Sequence, residues 1–202
     1  MKHWLGAVML PVLILQPLLT LAAHPQTPRG QMPDLGRPTQ ESDKVPPLDF
    51  DSYFLGTWEF EWFVPESPLG SAGELTGTTT YTALGGMAYQ AETKATGPDG
   101  PFTRSERIEY NAEERSMSRV VTDSRGFSYR QTASVSGDLG GLYYINFESE
   151  PFRVGGQTVQ VRDAVRLLSP LNYRVSTTVS VDGGPFRNYG TPWWRKANPG
   201  AR

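Results

Sequence analysis

From Gly56 onward, hydrophobic and polar residues alternate with a period of two. The run Gly56-Thr57-Trp58-Glu59-Phe60-Glu61-Trp62 sets three rings against Thr57, Glu59 and Glu61. That period places the rings on one face of a strand and the carboxylates on the other. The alternation returns in segments separated by Gly- and Pro-rich turns about every 10 to 15 residues, the spacing of sandwiches and barrels. Strands are predicted at about 56–63, 75–83, 87–94, 103–110, 116–123, 127–136, 141–148, 157–168, 172–181 and 186–195. Gly85-Gly86, Asp123-Ser124-Arg125-Gly126, Asp138-Leu139-Gly140-Gly141 and Asp182-Gly183-Gly184 supply glycine where a reversal needs positive φ. Asn111 to Arg115 reads as a longer hairpin loop. Connections this short join antiparallel neighbours. No segment sustains a helical period, and only Leu48 to Leu55 reads as a short helical turn, its apolar side chains placed to cover one end. About ten sequential antiparallel strands remove their exposed edges by closing. The expected fold is all-β: a single antiparallel up-and-down barrel of about ten strands with a short N-terminal helical turn, wide enough to leave interior space. Val64 to Glu74, with Pro65, Pro68, Gly70 and Gly73, is the longest connection without strand character and sits where a lid would.

The start of the chain follows other rules. Met1-Lys2-His3-Trp4 is basic, Leu5 to Ala23 is apolar apart from Gln16 and Thr20, and the stretch ends Leu21-Ala22-Ala23. That is the pattern of a secretory signal over residues 1–23. A retained anchor is the alternative, but the stretch is near the minimum of about 17 to 20 residues for a bilayer span. Pro11 and Pro17 would each cost about 3 kcal/mol inside a helix. No cysteine follows the apolar stretch, which excludes a lipid anchor. The expected destination is the periplasm or the exterior, with no membrane span after cleavage. Residues 24–47 hold Pro25, Pro28, Pro33, Pro38, Pro46 and Pro47 and read as a flexible linker. Residues 48–196 are the barrel domain and 197–202 a flexible tail.

Composition narrows the chemistry. The 202-residue chain has a formal net charge of −2, no cysteine and two histidines. It carries no basic tract such as nucleic-acid binding needs, so no nucleic-acid partner is expected. Without disulfides, stability rests on the core, and about 150 ordered residues suffice for one. His3 and His24 both precede the folded body. Zinc sites of His or Cys, Ser-His-Asp triads, Cys-His pairs and axial His ligation of haem therefore have no residues to use there. No cofactor and no metal site are expected; an oxygen-ligand calcium site stays open in principle, without EF-hand spacing.

Leu55-Gly56-Thr57-Trp58-Glu59, Thr80-Tyr81 with Gly85-Gly86-Met87-Ala88-Tyr89, and Asp182-Gly183-Gly184-Pro185-Phe186 carry a resemblance. The chain resembles the lipocalin-like (calycin-type) barrels, and more closely the bacterial DUF1579 group, a family of unassigned function, over about residues 50–196. The resemblance implies a barrel with an internal pocket, not a reaction. Trp58 matches the tryptophan that closes the lipocalin floor against an arginine, here Arg174, Arg187 or Arg195. The haem-binding nitrobindins are similar in strand count, but this chain lacks the histidine they use. Arg187-Asn188-Tyr189 is similar to the Arg-x-Tyr pattern with which fatty-acid-binding proteins hold a carboxylate.

The residues themselves offer further candidates. Trp62, Tyr89 and Tyr110 are core positions in a packed barrel and pocket wall in a hollow one; Met87 and Ile108 share their alternation. Arg119 and Asp163 lie among apolar neighbours, and an unpaired buried charge costs several kcal/mol. They either pair with each other or each hold a ligand group. Trp193-Trp194 points one ring to each face. The expected ligand-binding set is Trp62, Tyr89, Tyr110, Arg119, Asp163, Arg187 and Tyr189, with Trp58 as barrel floor and no catalytic residue assigned. The first reading is an exported binding protein holding a small apolar or amphipathic molecule. An enzyme using Glu106, Asp123 or Asp163 as an acid or base, should burial raise a pKa, and a packed barrel serving as an envelope interaction module are the alternatives.

Overall fold

The computed structural model describes residues 44–197. The expected secretory signal and most of the expected Pro-rich linker lie outside the described residues, as does the expected tail beyond Ala197. A five-residue helix, α1 (Phe50–Phe54), precedes twelve strand segments: β1 (Gly56–Val64), β2 (Gly73–Gly85), β3 (Ala88–Gly97), β4 (Gly100–Asn111), β5 (Ser116–Asp123), β6 (Phe127–Gly137), β7 (Tyr143–Ser149), β8 (Phe152–Val154), β9 (Gln157–Ser169), β10 (Asn172–Val181), β11 (Arg187–Gly190) and β12 (Trp193–Lys196). Two pairs of segments are single strands with a break. β7 and β8 both run along β9, interrupted at Pro151. β11 and β12 both run along β10, interrupted at Thr191-Pro192. Proline cannot donate to a ladder, so each break falls where the sequence removes a donor.

The result is a closed ten-stranded antiparallel barrel. Each strand pairs with its neighbour in sequence, and the ring closes where β12 pairs with β1, Trp58 opposite Lys196 and Glu61 opposite Trp193. Closure leaves no long unpaired edge. Side chains alternate inward and outward as the pleat demands; β7 and β9 do so almost without exception.

The inward side chains form two apolar layers. One surrounds Trp58, Tyr89, Ile108, Tyr110, Ile145, Leu167 and Tyr173 at the end where α1 sits. The other surrounds Phe60, Leu75, Val121, Tyr129, Phe152, Val159 and Tyr189 at the opposite end. Between them lies a belt of buried polar residues that includes Thr79, Thr93, Glu106, Gln131, Asp163 and Thr177.

The helical turn closes the first end as a plug. Asp49 caps α1, its carboxylate accepting from the Ser52 backbone N–H at 3.1 Å and from the Ser52 hydroxyl at 2.6 Å. Phe50 is 2 % exposed and stacks on Tyr89 with ring centroids 3.8 Å apart. Trp58 is fully buried, and its indole N–H donates to the Phe54 carbonyl at 2.6 Å. The last residues of the expected linker are docked across this end. Arg115 donates to the Val45 carbonyl, and the Tyr143 hydroxyl donates to the Pro47 carbonyl at 3.2 Å. The cation beside the Trp58 ring is Lys196, 5.2 Å from its centroid, rather than Arg174, Arg187 or Arg195. Met87 sits in the β2–β3 turn with positive φ and stays exposed instead of joining the interior.

Candidate functional site

The belt is built by strand parity. Arg104 and Glu106 share the inward face of β4 with Ile108 and Tyr110. Arg119 projects inward from β5 beside Met117 and Val121, and Asp163 from the middle of β9 between Val161 and Val165. These elements meet around Arg119, whose three nitrogens are all engaged. Its Nε donates to Gln131 at 2.7 Å, Nη1 to Glu106 at 2.9 Å and Nη2 to Asp163 at 2.7 Å. The guanidinium also lies 4.1 Å from the Phe147 ring centroid. Asp163 accepts two further bonds, from the Thr177 hydroxyl at 2.6 Å and from Gln131 at 3.0 Å. Arg104 approaches the other Glu106 oxygen at 3.0 Å. Nearer the open-loop end, Arg125 forms a bidentate pair with Asp123 through Nε at 2.8 Å and Nη2 at 2.7 Å. Its Nη1 donates to the Leu69 carbonyl at 2.8 Å, which ties the β1–β2 loop over that end.

Electrostatics follow from the pairing. Burial alone would raise the Glu106 carboxyl, but the Arg119 and Arg104 guanidiniums overcome it and hold the group below its ordinary value. Burial would lower Arg119, while Glu106 and Asp163 raise it, so the Arg119–Glu106 pair stays charged. Glu106 therefore lacks the raised pKa that a buried general acid would need, and its two oxygens already accept from arginines. Tyr81 and Tyr173 join hydroxyls at 3.1 Å. Burial and the nearby Glu106 push Tyr81 up to about 12. Burial and Tyr81 push Tyr173 well above its ordinary value.

These residues surround an interior cavity of about 100 Å³. Its walls mix apolar side chains, among them Phe60, Ile108, Phe147 and Val175, with Arg104, Glu106 and Arg119 from the belt. Phe50 and Phe54 of the plug close one end, and Leu69 closes the other. The volume is well under the about 300 Å³ of a drug-sized ligand site. It suits a molecule of a few non-hydrogen atoms; with the plug in place a long fatty-acid chain does not fit.

Of the residues expected at a ligand site, Trp62, Arg119, Asp163 and Tyr189 line this cavity. Arg119 and Asp163 pair with each other. Trp62 donates to the Tyr189 carbonyl at 3.0 Å, its indole crossing Gly190. Gly190 has φ of +121°, and a Cβ there would meet the indole nitrogen at 2.2 Å, so the crossing requires glycine. Tyr89 and Tyr110 are buried beneath the plug: Tyr89 stacks on Phe50, and the Tyr110 hydroxyl accepts from the Leu48 N–H at 3.1 Å. Arg187 is exposed and does not line the cavity, so Arg187 and Tyr189 form no interior clamp. The strand starts at Arg187 on the barrel rim, where the inward face has already run out into solvent. Trp194 packs inward, stacked on Tyr173 at 5.4 Å, and Trp193 is 42 % exposed. The sequence pattern alone does not single out Arg104, Gln131 or Tyr129. The one pointer to Arg104 is its shared parity with Ile108 and Tyr110.

Among the described residues no cluster of His, Cys, Asp or Glu could hold a metal ion, and no helix is long and apolar enough to cross a membrane.

Comparison with known proteins identifies the class by fold. The barrel is similar to the crystal structure of Rv2717c from M. tuberculosis, with a TM-score of 0.62 and 13 % identity, covering 77 % of this chain and all of that one. It is also similar to a de novo designed fluorescence-activating β-barrel, with a TM-score of 0.43 and 16 % identity over 74 % of this chain and 99 % of the design. No protein-family model matches the chain, and the search of curated proteins finds no match.

Proposed function

We propose that this chain is an exported binding protein that holds a small, mostly apolar molecule inside its barrel. The observation that carries the reading is the interior cavity of about 100 Å³, walled by aromatic and aliphatic side chains and crossed by a polar belt. Export rests on the signal pattern of residues 1–23. The residues Leu55 to Glu59 and Gly85 to Tyr89 support placing the chain with the DUF1579 group. The carboxylates Glu106, Asp123 and Asp163 each face a guanidinium partner, which weighs against the enzymatic alternative.

Native followed by denaturing mass spectrometry of the protein purified from an export-competent host tests the reading. The expected result is a stoichiometric small adduct released on unfolding, on a chain that begins at His24. If the protein is an apo species whose tryptophan fluorescence responds to no small apolar molecule, the binding reading is wrong. A chain that still begins at Met1 in the host's membrane fraction refutes export.

A further inference from the structure

We propose that the cavity recognises a neutral ligand through a hydrogen-bond-accepting oxygen, such as a ketone, aldehyde or ester carbonyl, with Arg104 as the polar anchor. The proposal rests on the binding reading above and specifies its chemistry.

Unmet hydrogen bonds decide the polarity. Among the described residues, two buried side-chain polar atoms lack a partner, Arg104 Nε and Trp194 Nε1. Both are donors, and both residues line the same cavity. Buried polar groups are ordinarily satisfied, and each unpaired one costs about 1–3 kcal/mol. The three arginines of the barrel interior differ sharply in this respect. Arg119 and Arg125 each use Nε, Nη1 and Nη2. Arg104 uses Nη2 toward Glu106, while its Nε has no partner. Its side chain keeps 23 % of its surface accessible and lines the cavity; Nε itself is covered, so a ligand oxygen reaches it with a small shift of the side chain. The acceptors, by contrast, are saturated: both oxygens of Glu106 and both of Asp163 are engaged. A ligand that completes this site brings an acceptor.

Charge balance decides between a carbonyl and a carboxylate. Arg104, Arg119 and Arg125 face Glu106, Asp123 and Asp163, so the interior is neutral before a ligand enters. A monoanion would leave one uncompensated buried charge, at a cost of several kcal/mol. A neutral oxygen accepts the orphan donors without that cost. The volume restricts the ligand to a small member of this class, since a cavity of about 150 Å³ holds benzene and this one is about 100 Å³.

The test titrates the full chain with cyclopentanone, cyclopentane and butyrate at pH 7, following tryptophan fluorescence and saturation-transfer NMR. Cyclopentanone is expected to bind about 3- to 10-fold tighter than cyclopentane, the gain from one or two hydrogen bonds, and butyrate more weakly than the ketone. Trp194→Phe keeps the stacked ring and removes a donor that makes no bond in the protein, so its fold should be intact. It should reduce the ketone preference and leave cyclopentane unaffected. Arg104→Met with Glu106→Gln keeps the interior neutral and should abolish the preference. Equal affinity for ketone and hydrocarbon overturns the acceptor assignment while the binding reading stands. Butyrate binding tighter than the ketone overturns neutrality. If none of the three probes binds, the cavity reading falls with the inference.

Discussion

Replacing Arg119 with methionine removes the one cation that Glu106, Asp163 and Gln131 share, and the structure says what each loses. Glu106 keeps Arg104 at 3.0 Å. Asp163 keeps the Thr177 hydroxyl and the Gln131 amide but no cation. Gln131, fully buried, loses the donor to its carbonyl. Removing one partner of a buried pair costs about 3–5 kcal/mol, because the remaining charge stays out of water. For a domain of this size that lowers the melting temperature by about 6–20 °C. Urea unfolding at pH 7, followed by tryptophan fluorescence, measures the loss. The companion variant Arg119→Met/Asp163→Leu tests the cause: with the stranded carboxylate gone, at least half of the stability should return. The acid limb adds a second check. Glu106 has a folded pKa below its ordinary 4.5, so the stability it contributes is present above that value. It is lost as the pH falls below 4.5 through the folded value. Arg119→Met should flatten this limb. A loss under about 1 kcal/mol in the single variant, or a double variant no more stable than the single, would refute the reasoning.

Alkaline titration should unfold the barrel through its paired phenols. Tyr81 has a folded value of about 12 against an ordinary 10, so stability is full below pH 10 and falls as the pH rises toward 12; Tyr81→Phe should soften that slope, and an unchanged slope would place the alkaline transition elsewhere. Phe50→Ala should cost about 3–5 kcal/mol by emptying the plug against Tyr89. It should also enlarge the cavity, so that a longer apolar probe binds the variant and not the parent; equal binding to both would mean that the plug does not limit size. Gly190→Ala forces a side chain into a backbone with φ of +121° and into the Trp62 indole. It should destabilise by more than about 1 kcal/mol and shift the tryptophan emission, whereas a silent spectrum would show that the crossing is not needed.

The barrel was legible because strand parity and turn glycines are local signals. Each of the ten expected strands overlaps an observed one, and the two interruptions fall at Pro151 and Pro192, residues that cannot donate to a ladder. The plug was legible too, since Leu48, Phe50 and Phe54 are apolar residues with no strand to join. The site was read only in part, and the reason is geometric. Parity says which side chains face inward but not at what height. Arg119 and Asp163 are far apart in sequence, and their contact depends on how the strands tilt and stagger around the ring. Arg187 has the right parity with Tyr189 and the wrong height, so it ends on the rim in water. Arg104 has the right height and lines the cavity, but in sequence Arg-Ser-Glu reads as an exposed charged strand.

The same geometry says what the polar belt would contribute to the proposed binding. An apolar filling of this volume would stabilise the barrel at least as well, since buried ion pairs are costly to desolvate. A fully paired belt of Arg119, Glu106 and Asp163, by contrast, holds each side chain in one place through several bonds at once. That belt leaves Arg104 at the cavity wall, paired with Glu106 through one nitrogen and with its Nε unpartnered. On the proposed reading, a ligand that accepts from Arg104 meets a charged group whose neighbours are already ordered. Discrimination then comes from the small volume and from the sign of the unmet groups, two properties that single substitutions at Phe50 and Trp194 change independently.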